Sequence, residues 1–217
     1  MAEMDLGSGI DLLQQRAKLV KALLIAGFVL VIAVMVGEIA EYGGVISLDE
    51  VELSPPAQLY ASVALLSVAV TIATIIFFSM WIYRAAANVA AAEVVGFDYT
   101  PGWSVGWFFI PIANLVKPFQ AMRQIWNASH GHRADALDHG NGLLTIWWAT
   151  WLVSNIANNI STRLSLRADT IDDAQLATMF GIVGSVVSLI LYPSALRLVD
   201  RITIAQREKL TASHIFS

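Results

Sequence analysis

The stretch Thr100–Pro118 reads TPGWSVGWFFIPIANLVKP and carries no charge from Pro101 to Val116. It is long enough and apolar enough to suggest a membrane span. Its punctuation argues otherwise. Pro111 removes a backbone donor and clashes with the preceding turn, so an ordinary helix would break there. Trp103 and Trp107 lie one helical turn apart and suit the membrane–water interface. Asn114 needs a polar partner. Whether this stretch crosses decides the sidedness of everything after it.

Composition makes the membrane question the right one. The chain has 217 residues, 57% of them hydrophobic and only 14% charged, against about 25% charged in ordinary soluble domains. Its mean hydropathy is +0.64. A soluble protein of this size could not hide so much apolar surface, which points to an integral membrane protein. The net charge of −4 argues against a general nucleic-acid binder, which needs a basic face. There is no Cys, which removes disulfides, thiolate metal sites and Cys nucleophiles together. The N-terminus carries Glu3, Asp5 and Asp11 instead of a basic region, so it is expected to stay rather than act as a cleaved signal.

Four spans are expected at about 22–40, 57–83, 142–162 and 176–198, each near the roughly 20 residues that a crossing helix needs. Basic residues near membrane ends favour the cytoplasm. If 100–118 does not cross, both termini are cytoplasmic. Arg16, Lys18, Lys21, Arg84, Lys117, Arg123, Arg133, Arg197, Arg201, Arg207 and Lys209 then share that side, leaving only Arg163 and Arg167 of the 13 basic residues outside. If it crosses, the bias vanishes. The segment 100–118 is therefore read as a Pro-broken re-entrant or interfacial element. The fold class is all-α, with a single polytopic membrane domain over 22–199. Residues 1–21 form an N-terminal cytoplasmic segment and 200–217 a cytoplasmic tail. Within the first, Asp11–Lys21 is read either as a surface amphipathic helix or as a solvated extension of the first span. The loops 38–53 and 163–176, rich in acidic residues, face outward.

Asn155, Asn158 and Asn159 fall at i, i+3 and i+4, on one helix face. Amides are costly in lipid, so this face is expected to turn inward, as a polar pathway or as helix-packing glue. Ala33/Gly37 and Gly181/Ser185 are small-residue pairs suited to close packing. No ionisable group lies near a predicted midplane, since Glu38, Glu41 and Arg84 sit at edges. This lowers the case for active transport.

Motifs for chemistry are few. His130, His132 and His139, with Asp135 and Asp138, are the weak candidates for a metal, but their spacing matches no zinc pattern and a solvated loop is the plainer reading. No phosphate loop, dinucleotide fingerprint or G-x-S-x-G nucleophile motif occurs. No cofactor is expected, and the chain is read as not an enzyme.

The block from Trp81 to Trp126 resembles a bacterial membrane-protein family catalogued as domain of unknown function 4328. The matching residues are Trp81, Arg84, Asn88, Gly96, Pro101, Gly102, Trp103, Gly106, Trp107, Pro111, Asn114, Leu115, Pro118 and Trp126. The resemblance implies a multi-pass protein of the bacterial inner (cytoplasmic) membrane and carries no activity. Arg84 and Asn88, at i and i+4, are placed to satisfy carbonyls that Pro111 leaves free if the hairpin folds back on them. The expected function is a non-enzymatic accessory, scaffold or regulatory subunit in the lipid bilayer that binds a membrane-protein partner or a second copy of itself. The alternatives are a small channel or passive transporter and, more weakly, a metal- or cofactor-binding membrane protein.

Overall fold

The computed structural model describes residues 6–48, 52–137 and 142–210. Every regular element among them is helical. In chain order they are α1 (Leu6–Tyr42), α2 (Pro55–Ala91), α3 (Pro101–Gly106), two 3-10 turns (Trp107–Phe109 and Ala113–Leu115), α4 (Lys117–Ser129), α5 (Gly142–Ser165), α6 (Ile171–Ala205) and a π-helical turn (Gln206–Leu210). Three helices are long and apolar enough to cross a membrane: α1, α2, and α6 with its π turn. α5 has the length, 24 residues, but Asn155, Asn158 and Asn159 dilute its hydropathy.

The chain forms two compact units. The first comprises residues 1–22, 74–145 and 195–217, the second 23–73 and 146–194. The unit boundaries at 22/23 and 194/195 fall close to the sequence divisions at 21/22 and 199/200, but residues 74–145 of the expected 22–199 domain group with the two ends, because the sequence division follows hydropathy whereas the units follow packing.

The first unit has a core of the kind found in water-soluble proteins. Leu13, Val20, Trp81, Ile82, Val89, Met122, Ile125, Leu144, Leu198, Val199 and Ile202 are all fully or almost fully buried. α1 contributes Leu6, Ile10, Leu13, Ala17 and Val20, which recur at helical spacing and so form one stripe. The Asp11–Lys21 segment is the first part of α1, continuous with the expected first span, and packs Leu13, Ala17 and Val20 against the unit's core. The expected tail is also structured as far as Leu210, with Ile202, Gln206 and Leu210 buried. Leu210 packs in one cluster with Leu6, Ile10, Val89 and Ala128.

The second unit is built the other way round. Ile25, Val29, Val36, Leu59, Leu65, Ile72, Val186 and Ile190 point outward and are exposed. An apolar exterior of this extent marks a surface made for lipid or a partner. α1 continues through Glu38 and Glu41 to Tyr42, so both acids lie on a helix and not in the 38–53 loop. α6 starts at a cap: Asp173 N donates to Thr170 Oγ1 at 3.2 Å, and that hydroxyl donates to Asp173 Oδ2 at 2.7 Å. This reciprocal pairing satisfies a free amide of the first turn.

Candidate functional site

The most connected polar cluster lies in the first unit. Asn88 is fully buried. Its carbonyl oxygen accepts from Arg84 Nε at 2.9 Å, and its amide donates to Gly9 O at 3.3 Å and to Gln206 Oε1 at 2.9 Å. Gln206 Nε2 donates in turn to Ala85 O at 3.0 Å and Ser129 Oγ at 3.1 Å. One network thereby ties α1, α2, α4 and the π turn together. A π turn shifts side-chain register inside a helix, and here it carries Gln206. Gly9 is needed for close approach, because a Cβ there would stand 2.5 Å from Asn88 Oδ1 and 2.7 Å from an Arg84 nitrogen. Trp81 adds a parallel tie, its indole donating to Thr203 Oγ1 at 3.1 Å.

The same unit contains the 100–118 segment. Thr100 caps α3, its hydroxyl accepting from Trp103 N at 3.2 Å with Pro101 at the first helical position; a Thr-Pro start is physically favoured. α3 and the first 3-10 turn end at Ile110, so no single helix crosses here. Pro111 is accommodated locally. Ile110 N takes the Trp107 carbonyl at 3.5 Å, Ala113 N closes a three-residue turn on Pro111 O at 2.8 Å, and Asn114 N takes Ile110 O at 2.9 Å. The freed carbonyls are therefore satisfied within the hairpin, and Asn88 is spent on Gly9 and Gln206. Ile112, at the tip, has φ +70°, an outlier for a β-branched residue, and is 84% exposed. Phe109, Leu115 and Val116 are exposed beside it.

Below the hairpin is an open cleft of about 480 Å³ lined by Asp98, Tyr99, Thr100, Trp103, Trp107, Lys117, Gln120, Arg123 and Gln124. Two glutamines one turn apart on α4 hold its far wall. Gln124 Oε1 accepts from Asp98 N at 2.9 Å and its Nε2 donates to Asp98 Oδ2 at 3.0 Å; Tyr99 Oη donates to Gln120 Oε1 at 3.0 Å. Trp103 and Trp107 lie with ring centroids 4.8 Å apart, and Lys117 Nζ sits 5.9 Å from the Trp107 ring. Arg123 Nε and Asn114 Oδ1 are buried without hydrogen-bond partners. Burial raises the Tyr99 phenol above its usual range; Asp98 adds to the shift and the Arg123 charge opposes it.

In the second unit, Glu38 is drawn in between helices. Its Oε2 accepts from Ser185 Oγ at 2.6 Å. Gly181 makes room for it, since a Cβ there would stand 2.6 Å from Glu38 Oε1. Tyr60 Oη donates to Glu41 Oε2 at 3.3 Å. Sequence reading placed Glu38 at an edge. Its backbone is near the helix end, but its side chain reaches Ser185, nine positions into the expected fourth span. The Asn face of α5 is found as one face, but an exposed one. Asn155 donates to Trp151 O and Asn159 to Asn155 O, both at 2.8 Å, so these amides bond their own helix instead of turning inward. Asn158 packs its amide against Gly184 of α6.

A family model described as domain of unknown function (DUF4328) matches residues 45–204. The chain belongs to that family. No curated protein and no solved structure matches it. The match extends the resemblance at Trp81–Trp126 from α2 to near the end of α6 and stops short of the π-helical turn.

The residues that carried the sequence resemblance fall into two groups in space. Trp81, Arg84, Asn88 and Trp126 are buried ties, while Pro101, Trp103, Trp107, Pro111 and Leu115 build the hairpin. Gly96 adopts φ +83° and its α-carbon lies against Asp135, so both backbone conformation and space demand Gly there. Gly106 seats the Trp103 ring, Gly102 faces open space, and Pro118 is buried in the first turn of α4. His130 stacks on Trp126 with centroids 4.1 Å apart and its Nδ1 is 2.8 Å from Trp126 O. His132 is exposed, and Asp138 and His139 lie outside the described residues. Among the described residues no group of three metal-ligating side chains converges. Sequence reading missed Gly9, Gln206 and the glutamine pair Gln120/Gln124. Thr203 and Gln206 were detectable as polar positions within the stripe Leu198, Val199, Ile202.

Proposed function

We propose that this DUF4328 member is a four-span protein of the bacterial inner membrane with both termini cytoplasmic, α5 being the third span and the 100–118 hairpin lying at the cytoplasmic interface. It acts as a non-enzymatic accessory, scaffold or regulatory subunit that binds a membrane-protein partner or a second copy of itself. The supporting observation is the exposed α5 face. Asn155 and Asn159 sit there beside exposed Val153 and Ile156, while Asn158 meets Gly184 of α6. Amide oxygens facing lipid lack donors, and a partner helix supplies them. Purification in mild detergent tests this, with Asn155→Leu/Asn159→Leu as the comparison. A reproducible partner or oligomer lost in the variant is expected. A free monomer in native-membrane extracts, unchanged in the variant, would sink the reading.

A second reading, a small channel or passive transporter, draws on Glu38. An ionisable group held among membrane helices is expensive and tends to mark a pathway. Flux through proteoliposomes decides it. Absence of flux for common ions and small solutes, from an oligomer-preserving preparation, removes it.

A further inference from the structure

The cleft under the hairpin has a composition that its structural role does not require. Gln124 and Asp98 bond each other and Gln120 accepts from the Tyr99 hydroxyl, so the polar groups of that wall have partners of their own. The other wall differs. Lys117 and Arg123 take part in no ion pair among the described residues, and Arg123 Nε is buried without a partner. A guanidinium nitrogen left unpaired in a buried place is costly, and an anion in the cleft removes that cost. The single carboxylate of the cleft, Asp98, is already engaged by Gln124, so two cations face one occupied anion. Two features set the source of the anion. The Trp103/Trp107 pair is of the kind that sits at headgroup level. Next to the cleft, Phe109 is 67% and Ile112 84% exposed, and these side chains match acyl chains rather than water.

We propose that the cleft binds the phosphate headgroup of an anionic phospholipid of the cytoplasmic leaflet, with Lys117 and Arg123 as its phosphate partners, the two tryptophans flanking it, and Phe109 and Ile112 in the acyl layer. The proposal rests on the interfacial placement of the hairpin given above.

The test uses the full chain in nanodiscs of phosphatidylglycerol mixed into phosphatidylcholine, with lipid retention read by native mass spectrometry after gentle release. Wild type is expected to prefer phosphatidylglycerol, and Lys117→Gln/Arg123→Gln to lose roughly tenfold to thirtyfold of that preference. Arg163→Gln, on the last turn of α5, is expected to leave it unchanged. Because Arg123 is partly buried, Lys117→Gln alone, at an exposed position, is the safeguard; it is expected to lose roughly fivefold. Equal retention of both lipids by wild type, or an unchanged preference in Lys117→Gln, overturns the proposal. Displacement by inorganic phosphate or glycerol phosphate as effective as by phosphatidylglycerol overturns the lipid source in favour of a soluble anion. Failure of the underlying placement reads differently. The chain lacks Cys, so Val95→Cys and Val116→Cys can be labelled alone. Labels on opposite sides of the membrane refute the interfacial hairpin; same-side labels with no lipid preference refute only the headgroup site.

Discussion

Asn88→Ala removes three hydrogen bonds at once from a site with no solvent access. Arg84 Nε loses its acceptor, and Gly9 O and Gln206 Oε1 lose their donor. Each orphaned buried group costs about 1–3 kcal/mol. The three share one network, so the total is less than their sum, roughly 3–5 kcal/mol. For a chain of this size each kcal/mol shifts the midpoint by about 2–4 °C, so a drop on the order of 6–20 °C is expected. The assay is thermal unfolding of detergent-solubilised protein followed by tryptophan fluorescence, since Trp81 and Trp126 report on this unit. Asn88→Asp separates the network from simple charge pairing. It keeps an acceptor for Arg84 but replaces the one NH2 group that donates to both Gly9 O and Gln206 Oε1 with a single oxygen. If the network matters, Asp is no better than Ala; if ion pairing with Arg84 dominates, Asp restores stability. Adding Gln206→Ala to Asn88→Ala should cost less than the two separate losses combined by about 0.5–3 kcal/mol. A shift below about 2 °C for Asn88→Ala, with native helix content, would refute the claim that this network holds the first unit together.

Three further predictions follow from single contacts. Burial holds the His130 imidazole below its ordinary value of 6.5, and the charges of Lys209, His132 and Arg201 act the same way. The unfolded chain therefore binds the proton more readily, so stability present above pH 6.5 falls as the pH drops below it, and His130→Phe flattens that slope in thermal melts at pH 7.5 and 5.5. Gly96→Ala forces a side chain into φ +83° against Asp135 and costs about 1–2 kcal/mol from backbone strain alone, with Asp135→Ala relieving only the contact; equal midpoints for wild type and Gly96→Ala would count against the geometry. Gly181→Val drives a branched side chain into the Glu38 carboxylate and is expected to lower the midpoint more than Gly102→Val, where the added group meets open space.

Elements with a strong local signal were legible. The Pro111 break and the apolar runs each rest on a preference confined to a few residues. Three helices long and apolar enough to cross a membrane were legible too, because the apolar runs that make them are local in the sequence. What escaped were groups whose meaning depends on distant partners. Glu38 is near the end of its helix by sequence, and only Gly181 and Ser185, far along the chain, show that its side chain is drawn inward. Gln206 lies beyond the apolar run, so it was assigned to a tail; its role exists because a π turn points it at Asn88. The Asn face of α5 was found by period, but spacing fixes which residues share a face and not which way it turns. Arg84 and Asn88 were singled out correctly as a pair, yet assigned the wrong client, because local turns had already satisfied the carbonyls around Pro111.

The lengths of the helices explain why packing and hydropathy divide this chain differently. α1 and α2 have 37 residues each and α6 with its π turn 40, about 55–60 Å at 1.5 Å per residue. The hydrocarbon core is about 30 Å. None of the three can be covered by lipid along its whole length, and each must bury its remaining apolar stripe against protein. The largest fully buried side chains, Trp81, Leu13, Ile82, Met122 and Ile125 among them, all belong to the first unit, whereas the second turns its valines and isoleucines outward. Hydrophobic burial in water can stabilise the first arrangement but not the second, since lipid is as apolar as a leucine side chain. The block Trp81–Trp126 lies wholly in the first unit. Its Arg84, Asn88 and Trp126 are therefore held by protein contacts in the core that also carries the 100–118 hairpin.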